Sequence, residues 1–268
     1  MSFSADWLAL REPYDTKARN AAVLDAVAAA FTGRSDITVV DLACGTGSTL
    51  RAISPRLPRR QSWRMIDNDL GLLARAASSG RKPDLEVAGV PIDLARDLEL
   101  ALDGDIDLVT TSALIDLVSA DWLERLIVEA ATRNLPVYAA LSYDGRTELS
   151  PRDPEDAKIV DAVNRHQRRD KGFGPALGPA AVAEAIMRFE RVGYAVTQGQ
   201  SDWVFAPEDR EIQIEVLSGW ASAAREMDDV KLPDIVGWLT RRRDYVAAGR
   251  STLRVGHVDI FAQPIGTR

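Results

Sequence analysis

The pattern of apolar and polar residues predicts alternating strands and helices in the first half of the chain. Apolar runs as long as buried strands are followed by stretches whose apolar residues recur every three or four positions, as on one face of a helix. The predicted strands cover 37–41, 61–67, 85–92, 105–111 and 136–142, and the predicted helices cover 15–32, 48–54, 70–77 and 120–133. Short connections between such elements are typical of a parallel, doubly wound α/β sheet.

The alternation ends near residue 143, and the second half of the chain is less regular. Residues 144–179 are polar and rich in Gly and Pro, with one helix predicted around 154–169. Further helices are predicted over 180–191, 208–226 and 234–248, and further strands over 194–205 and 253–262. The last two strands have no core helix between them, which predicts an antiparallel hairpin at the sheet edge and seven strands in all.

The chain contains no composition shift that would separate independent domains. We therefore interpret 1–268 as a single domain. Within it, residues 1–35 are predicted to form an N-terminal helical cover. Residues 144–180 and 206–250 are interpreted as helical insertions that roof a site at the end of the sheet.

The most informative turn joins the first strand to the following helix. It reads Val39-Val40-Asp41-Leu42-Ala43-Cys44-Gly45-Thr46-Gly47-Ser48. Gly45 and Gly47 allow positive φ and leave room for a ligand beside the backbone. The turn has neither the third glycine of G-x-G-x-x-G nor the Gly-Lys-Ser/Thr of a phosphate loop, which argues against dinucleotides and nucleoside triphosphates.

Acidic residues end the next two predicted strands. Asp67 follows the second strand, where a carboxylate can accept hydrogen bonds from both hydroxyls of a ribose. Asp93 ends the third strand, in Pro91-Ile92-Asp93-Leu94. The alternative is that both are turn acids that face water. Asp69 is predicted to cap the following helix.

These motifs resemble the class I S-adenosylmethionine-dependent methyltransferases, and specifically the small-molecule type. Asp41, Gly45 and Gly47 match the first motif, hhD-x-x-x-G-x-G, and Ile66-Asp67-Asn68-Asp69 matches the second. The resemblance implies a Rossmann-like methyltransferase fold with seven strands, the last of them reversed, and S-adenosylmethionine as the cofactor. The cofactor-binding residues that it implies are Asp41, Ala43, Gly45, Gly47, Asp67, Asn68, Asp93, Leu94, Ser112 and Arg19. Strand-to-helix turns of the G-x-G type also occur in other α/β folds.

The residues that would contact the methyl acceptor are harder to predict from the sequence. Thr110-Thr111-Ser112-Ala113-Leu114 follows the fourth strand and lacks the N/D-P-P-Y/F signature of amide and base N-methylation. Asp116 either orients an acceptor or simply precedes the next helix. Methyl transfer itself needs mainly alignment and the exclusion of water, which explains why few acceptor residues carry a motif.

The resemblance also implies that the N-terminal segment covers the methyl donor. Arg11 or Arg19 would then pair with the carboxylate of the donor, and Tyr14 would stack or donate a hydrogen bond. The alternative is that this segment, with Pro13 and Asp15, only caps the first helix. The residues predicted to contact the acceptor are Arg11, Tyr14, Tyr143 and Trp203.

The sequence has two histidines, and they receive different interpretations. His166 lies in the roofing insertion, where an imidazole can take the proton of the acceptor, although a structural role is the alternative. His257 is interpreted as a paired sheet residue of the last strand. Because the histidines are isolated from each other and from carboxylate clusters, no metal site is predicted. The alternative is a magnesium-dependent catechol-type site built from several carboxylates, for which the sequence shows no signature.

Composition and net charge restrict the classes of partner and the cellular location that we expect. The formal net charge of −7 over 268 residues argues against a nucleic-acid partner. The single cysteine fits a reducing cytoplasm, and the sequence shows no signal peptide and no apolar run long enough for a membrane span. We therefore expect a cytoplasmic monomer or homodimer that methylates a small-molecule acceptor. The alternatives are a protein or RNA methyltransferase and a non-catalytic module that binds S-adenosylmethionine.

Overall fold

The computed structural model describes residues 4–78 and 83–266. Residues 1–3 of the predicted N-terminal cover therefore lie outside the described residues. The strands are β1 (Asp36–Leu42), β2 (Arg60–Asp67), β3 (Leu85–Pro91), β4 (Leu108–Ser112), β5 (Val137–Ser150), β6 (Tyr194–Gln200), β7 (Trp203–Phe205) and β8 (Thr252–Pro264). The helices are α1 (Ala5–Ala18), α2 (Ala21–Ala30), α3 (Ser48–Ile53), α4 (Leu70–Ser78), α5 (Leu98–Ala101), α6 (Ala120–Arg133), α7 (Asp156–His166), α8 (Ala181–Arg191), α9 (Arg210–Glu226) and α10 (Leu232–Ala247).

The strands form one mixed sheet in the order β3-β2-β1-β4-β5-β8-β6. The five strands β1–β5 pair in parallel, whereas β8 is antiparallel to both β5 and β6. The predicted doubly wound α/β class with a reversed last strand is confirmed. The predicted antiparallel pairing of the last two strands at the sheet edge is confirmed, with β8 between β5 and the outermost strand, β6.

Helices cover both faces of the sheet because the central strands are apolar on both sides. Val40 and Leu42 belong to one buried cluster, with side chains of α5, α6 and α8. Ile37 and Val39 belong to a second cluster, with side chains of α2, α3 and α4. Successive side chains of a strand point to opposite faces, so the apolar residues of β1 supply both cores.

A third buried cluster lies beyond the ends of the central strands. It combines α7, α9 and α10 with β7 and the extended parts of β5 and β8, and residues of α1 pack against it. Trp238 and Phe205 are fully buried in it. We call this layer the cover, since it packs over the carboxyl ends of the parallel strands.

Several predicted element boundaries are wrong for identifiable reasons. The helix predicted over 15–32 is two helices, because Asn20 caps α2 by accepting a hydrogen bond from the amide of Val23. α1 begins ten residues earlier, at Ala5, and contains Pro13, and Asp15 is buried inside it instead of capping it. The strand predicted over 194–205 divides into β6 and β7, and both of these pair with β8.

β5 continues to Ser150 and so includes the first residues of the predicted insertion. Two register shifts interrupt its pairing with β8, between Ala139 and Ser142 and between Tyr143 and Thr147. Such bulges bend a strand pair and let side chains change face. They lie where the sheet meets the cover.

Among residues 4–78 and 83–266, no helix is long and apolar enough to cross a membrane.

Candidate active site

A cavity of about 180 Å³ lies at the carboxyl ends of the parallel strands, and we call it the β1–β4 cavity. Many of the residues predicted from the motifs line it, although they come from separate loops. These residues are Ala43, Gly45, Asp67, Asn68, Asp93, Leu94 and Ser112. Side chains of α1, including Leu8 and Arg11, form the opposite wall. Ligands of open α/β sheets bind at this edge of the sheet.

The glycine turn is held in a left-handed conformation and tied to the end of β2. Gly45 has φ +54° and Gly47 has φ +85°. A Cβ atom on Gly45 would lie 3.2 Å from Leu8 Cδ1, which is tighter than ordinary contact. The Gly45 amide donates a hydrogen bond to Asp67 Oδ2 over 3.0 Å. The turn and the second acidic motif therefore form one unit.

Asp67 and Asp93 have different environments at the rim of this cavity. Asp67 Oδ1 accepts a hydrogen bond from the Asp69 amide over 3.0 Å, and Asp69 caps α4 as predicted by accepting from the amide of Leu72. Asp93 Oδ2 accepts from Arg96 Nε over 3.1 Å at the surface. Each Asp67 oxygen thus accepts one backbone hydrogen bond and keeps capacity for another.

Asp41 and Gly47 lie behind the cavity and do not line it. Asp41 is fully buried, and its Oδ1 accepts a hydrogen bond from Thr110 Oγ1 over 2.8 Å. Its Oδ2 has no partner among the described residues. Burial raises the pKa of Asp41 to about 7. A Cβ on Gly47 would be in ordinary contact with Ala76 of α4. In this structure both residues support the turn from behind.

The two arginines considered for the carboxylate of the methyl donor have different positions. Arg11 lines the β1–β4 cavity and pairs with Asp15 through Nε at 2.9 Å and Nη2 at 3.3 Å. Arg19 is buried elsewhere, donates to Tyr138 Oη over 3.1 Å and lines neither cavity described here. The structure thus brings Arg11, and not Arg19, to the site.

A second cavity, of about 440 Å³, lies under the cover, and we call it the cover cavity. Its walls are largely aromatic, with Trp7, Tyr143, Trp203, Trp220 and His257 among the lining residues. Tyr14, which was predicted to contact the acceptor, does not line it. Tyr14 instead donates to Asp209 Oδ1 over 2.8 Å, and burial together with this contact raises the pKa of Tyr14 to about 12.

The two cavities share part of their walls. Arg11, Ala113 and Leu117 line both. Ala113 has φ +52°, an unfavourable value for a residue with a Cβ, and its amide donates to the Ala140 carbonyl over 2.9 Å. Backbone strain of this kind persists where the surrounding structure imposes it, often at functional sites. The loop after β4 therefore separates two adjacent ligand-sized spaces.

Asp116 lines the cover cavity with an unused carboxylate oxygen. The residue is 5% exposed, and its Oδ1 has no hydrogen-bond partner among the described residues. Burial raises the pKa of Asp116 to about 6, although backbone amides and Arg11 oppose the shift. A carboxylate with a pKa near neutrality and a free oxygen can accept a proton.

His166 also lines the cover cavity, but both of its ring nitrogens are engaged. Nε2 lies 3.0 Å from Glu226 Oε2, and Nδ1 lies 3.2 Å from Lys171 Nζ. Lys171 is buried, lines the β1–β4 cavity, and has its pKa lowered by desolvation. His166 can therefore take a proton from an acceptor only after Lys171 or Glu226 moves away, a restriction that Asp116 does not have.

His257 pairs with Tyr143 across the β5–β8 ladder, as a sheet residue should, but it also lines the cover cavity. Its Nδ1 lies 3.0 Å from the Val255 carbonyl oxygen, so Nδ1 carries the proton and donates. Burial, assisted by Arg11, lowers the pKa of His257 to about 3. The ring is therefore neutral and presents Nε2 as a hydrogen-bond acceptor.

Sequence reasoning missed several lining residues that are distant from the motifs. Trp7, Trp220 and His257 reach the cover cavity, and Lys171 and Phe173 reach the β1–β4 cavity. Within residues 4–78 and 83–266, no group of three or more His, Cys, Asp or Glu side chains is placed to hold a metal ion.

Comparison with known proteins agrees with this geometry. Residues 39–134 match the model of a family described as "Methyltransferase domain". Among curated proteins, none matches the sequence. The chain therefore contains a methyltransferase domain, and this match supports an S-adenosylmethionine-dependent methyltransferase enzyme with S-adenosylmethionine as the cofactor.

Solved structures share the fold at low sequence identity. A cyclopropane-fatty-acyl-phospholipid synthase-like protein from Lactobacillus casei is 15% identical with a TM-score of 0.52, over 94% of this chain and 98% of that one. Cyclopropane synthase MmaA2 from Mycobacterium tuberculosis is 10% identical with a TM-score of 0.52, over 97% and 95% of the two chains. YcgJ from Bacillus subtilis is 13% identical with a TM-score of 0.51, over 92% and 100%. At such identities the likeness establishes the fold alone.

Proposed function

We propose that this methyltransferase acts on a small-molecule acceptor, with the methyl donor in the β1–β4 cavity and the acceptor in the cover cavity. The observation that carries this proposal is the pair of adjacent cavities, which meet at Arg11, Ala113 and Leu117. Residues of the donor motifs line the β1–β4 cavity, and Asp116, a candidate base, lines the cover cavity. The roofing role of residues 4–35, 144–180 and 206–250 is part of the same proposal.

The residues of the β1–β4 cavity suit S-adenosylmethionine. Gly45 leaves a place that a Cβ would fill, and Asp67 keeps hydrogen-bonding capacity for the two hydroxyls of a ribose. Asp93 and Leu94 stand one strand further along, where the resemblance places the adenine. Ala43, Asn68 and Ser112 would complete the walls of the site. When bound, S-adenosylmethionine supplies a methyl group on a positively charged sulfur.

The protein aligns the methyl donor with the acceptor, excludes water and supplies a proton acceptor. The loop at Ala113 aligns the two cavities, and the apolar cover excludes water from the space between them. Asp116 Oδ1 is the group best placed to take a proton from an acceptor, because it has no other partner. With a pKa of about 6, Asp116 is ionised at neutral pH.

The size and enclosure of the cover cavity favour a small acceptor over a macromolecule. Its volume of about 440 Å³ is typical of small-molecule sites. Residues of α1, α7 and α9 surround it, and the net charge of −7 is unfavourable for RNA.

Transfer of tritium from labelled S-adenosylmethionine tests the proposal. The purified protein is incubated with deproteinised metabolite extract, total RNA and total protein from the expression host, and label is measured in each pool. We expect label in the metabolite pool. Label confined to RNA or protein would contradict the small-molecule acceptor, and donor binding without label in any pool would favour the non-catalytic alternative.

A pair of variants on one helix makes the test specific to the cover cavity. Ala223 lines this cavity, whereas Ser222, its neighbour on α9, is exposed. Ala223→Trp would fill the cavity and is expected to reduce transfer while leaving donor binding unchanged. The matched control, Ser222→Trp, should retain transfer. Equal activity of the two variants would place the acceptor elsewhere.

A further inference from the structure

Three buried side chains in the cover cavity each keep one polar atom without a partner. Arg11 uses Nε and Nη2 to bind Asp15, which leaves Nη1. Asp116 Oδ1 has no partner among the described residues. His257 uses Nδ1 to bind the Val255 carbonyl, which leaves Nε2. Asp116 Oδ1 is itself a buried atom, and a buried polar atom without a partner is costly unless a ligand satisfies it.

These groups lie close enough to influence one another. The positive charge of Arg11 lowers the pKa of Asp116 and also the pKa of His257. The guanidinium is held by Asp15 and lies 4.9 Å from the centre of the Trp203 ring. Trp203 is fixed in turn, since its Nε1 donates to Asp15 Oδ1 over 2.8 Å. The site therefore presents one fixed cation and two hydrogen-bond acceptors.

The remaining walls combine aromatic and aliphatic side chains with the polar residues His166, Gln167 and Glu215. Three of the six tryptophans in the sequence, Trp7, Trp203 and Trp220, line the cover cavity. The ring centroids of Tyr143 and His257 are 6.0 Å apart, and those of Trp203 and His257 are 4.8 Å apart. Aromatic walls of this kind favour a planar, apolar body, because rings stack against rings.

We propose, on the basis of the function proposed above, that the acceptor is an aromatic hydroxyl compound and that its oxygen receives the methyl group. The hydroxyl lies between Asp116 Oδ1 and Arg11 Nη1, at the wall shared by the two cavities. His257 Nε2 accepts a hydrogen bond from a donor on the aromatic body, which selects among phenols. The new oxygen–carbon bond forms as the carbon–sulfur bond of the methyl donor breaks and its electron pair stays on sulfur. The hydroxyl proton passes to Asp116 Oδ1.

The charges beside the hydroxyl comprise one guanidinium and two carboxylates. Asp15 holds the Arg11 guanidinium in place, and Asp116 Oδ1 accepts the hydroxyl proton. Arg11 stabilises the negative charge that develops on the phenol oxygen as its proton leaves. An ammonium group would instead pair with the carboxylate of Asp116, so a charged amine probe separates the two classes of acceptor.

Binding of three aromatic probes in the presence of S-adenosylhomocysteine tests the proposal. 4-Ethylphenol carries the hydroxyl, ethylbenzene lacks it, and phenethylamine carries a positive charge at neutral pH. We expect 4-ethylphenol to bind about tenfold more tightly than ethylbenzene, since one additional hydrogen bond of about 1.4 kcal/mol corresponds to that factor. Asp116→Leu should remove most of this preference.

Nitrogen NMR of the histidine rings gives a second readout, and it requires no substitution of His257. The sequence contains two histidines, so the His166→Gln variant assigns both sets of ring signals. 4-Ethylresorcinol, which carries a second hydroxyl, should shift the Nε2 signal of His257, and ethylbenzene should not.

The outcomes separate this proposal from the one on which it rests. Equal binding of 4-ethylphenol and ethylbenzene, tighter binding of phenethylamine, or a His257 Nε2 signal that 4-ethylresorcinol leaves unmoved would overturn the phenol assignment. Failure of all three probes to bind a protein that binds S-adenosylhomocysteine would overturn it as well and leave the donor site intact. Failure of S-adenosylhomocysteine itself to bind would contradict the proposed function.

Discussion

Replacement of Asp67 by alanine should weaken binding of the methyl donor by a measurable and bounded amount. Each oxygen of Asp67 accepts one backbone hydrogen bond, from Gly45 and from Asp69, both over 3.0 Å. A carboxylate has about four acceptor positions, which leaves capacity for two ribose hydroxyls. Hydrogen bonds to a charged group contribute about 1.5–3 kcal/mol, so Asp67→Ala should raise the Kd about 10- to 150-fold.

Titration calorimetry with S-adenosylhomocysteine measures this effect without knowledge of the acceptor. Asp67→Asn keeps one acceptor oxygen and should fall between the wild type and Asp67→Ala. Asp105→Asn is the matched control for the loss of one charge, because Asp105 is exposed and precedes β4, at the opposite edge of the sheet. An unchanged Kd for a folded Asp67→Ala protein would refute the placement of the ribose.

Three further changes test other parts of the structure. Burial raises the pKa of Asp116 from 3.8 to about 6, so the unfolded chain loses this proton first as the pH rises, and the folded state loses stability between about pH 4 and pH 6. Asp116→Asn should therefore raise the free energy of unfolding at pH 8 by up to about 3 kcal/mol and leave it unchanged at pH 4. Urea titrations measure this free energy, and the same difference between variant and wild type at both pH values would contradict the prediction. Gly45→Ala places a Cβ 3.2 Å from Leu8 Cδ1 at a φ of +54°, so it should cost about 1 kcal/mol of stability and weaken binding of S-adenosylhomocysteine. The double variant with Leu8→Ala should recover part of that affinity, and no recovery would locate the strain in the backbone alone. Ser119 Oγ accepts a hydrogen bond from the Trp122 amide over 3.2 Å, so Ser119→Ala should cost about 1 kcal/mol in thermal or urea unfolding, whereas Ser119→Asp should not.

Helices and strands whose ends are set by neighbouring residues agree well with the predictions from sequence. α6 spans Ala120–Arg133, as predicted, because Ser119 caps its first turn and the αL residue Asn134 ends it. The first two strands were also predicted within one residue at each end. Both strands concentrate their apolar residues between polar residues that lie at or next to their ends, so their limits are visible in the sequence.

Elements that depend on distant partners were predicted less well. β5 extends to Ser150 through polar residues because β8 pairs with it there. The N-terminal helix was placed too late because Pro13 was interpreted as a helix boundary, whereas α1 contains it. Packing of Trp7, Leu10 and Tyr14 against the cover accompanies this helix, and propensity alone does not include that contribution.

The sequence by itself determined most of the proposed donor site. Asp41, Gly45, Gly47 and Asp67 lie in one strand–turn–helix unit and the strand after it, and short-range backbone geometry fixes their order and spacing. Only the tertiary structure assembled the proposed acceptor site. Arg11 and Asp116 were predicted separately from the sequence, and Trp220 and His257 were not predicted to be there. The four residues come from separate parts of the chain and meet because the cover folds over the sheet. Their proximity depends on packing across long sequence separations, and no local spacing records it.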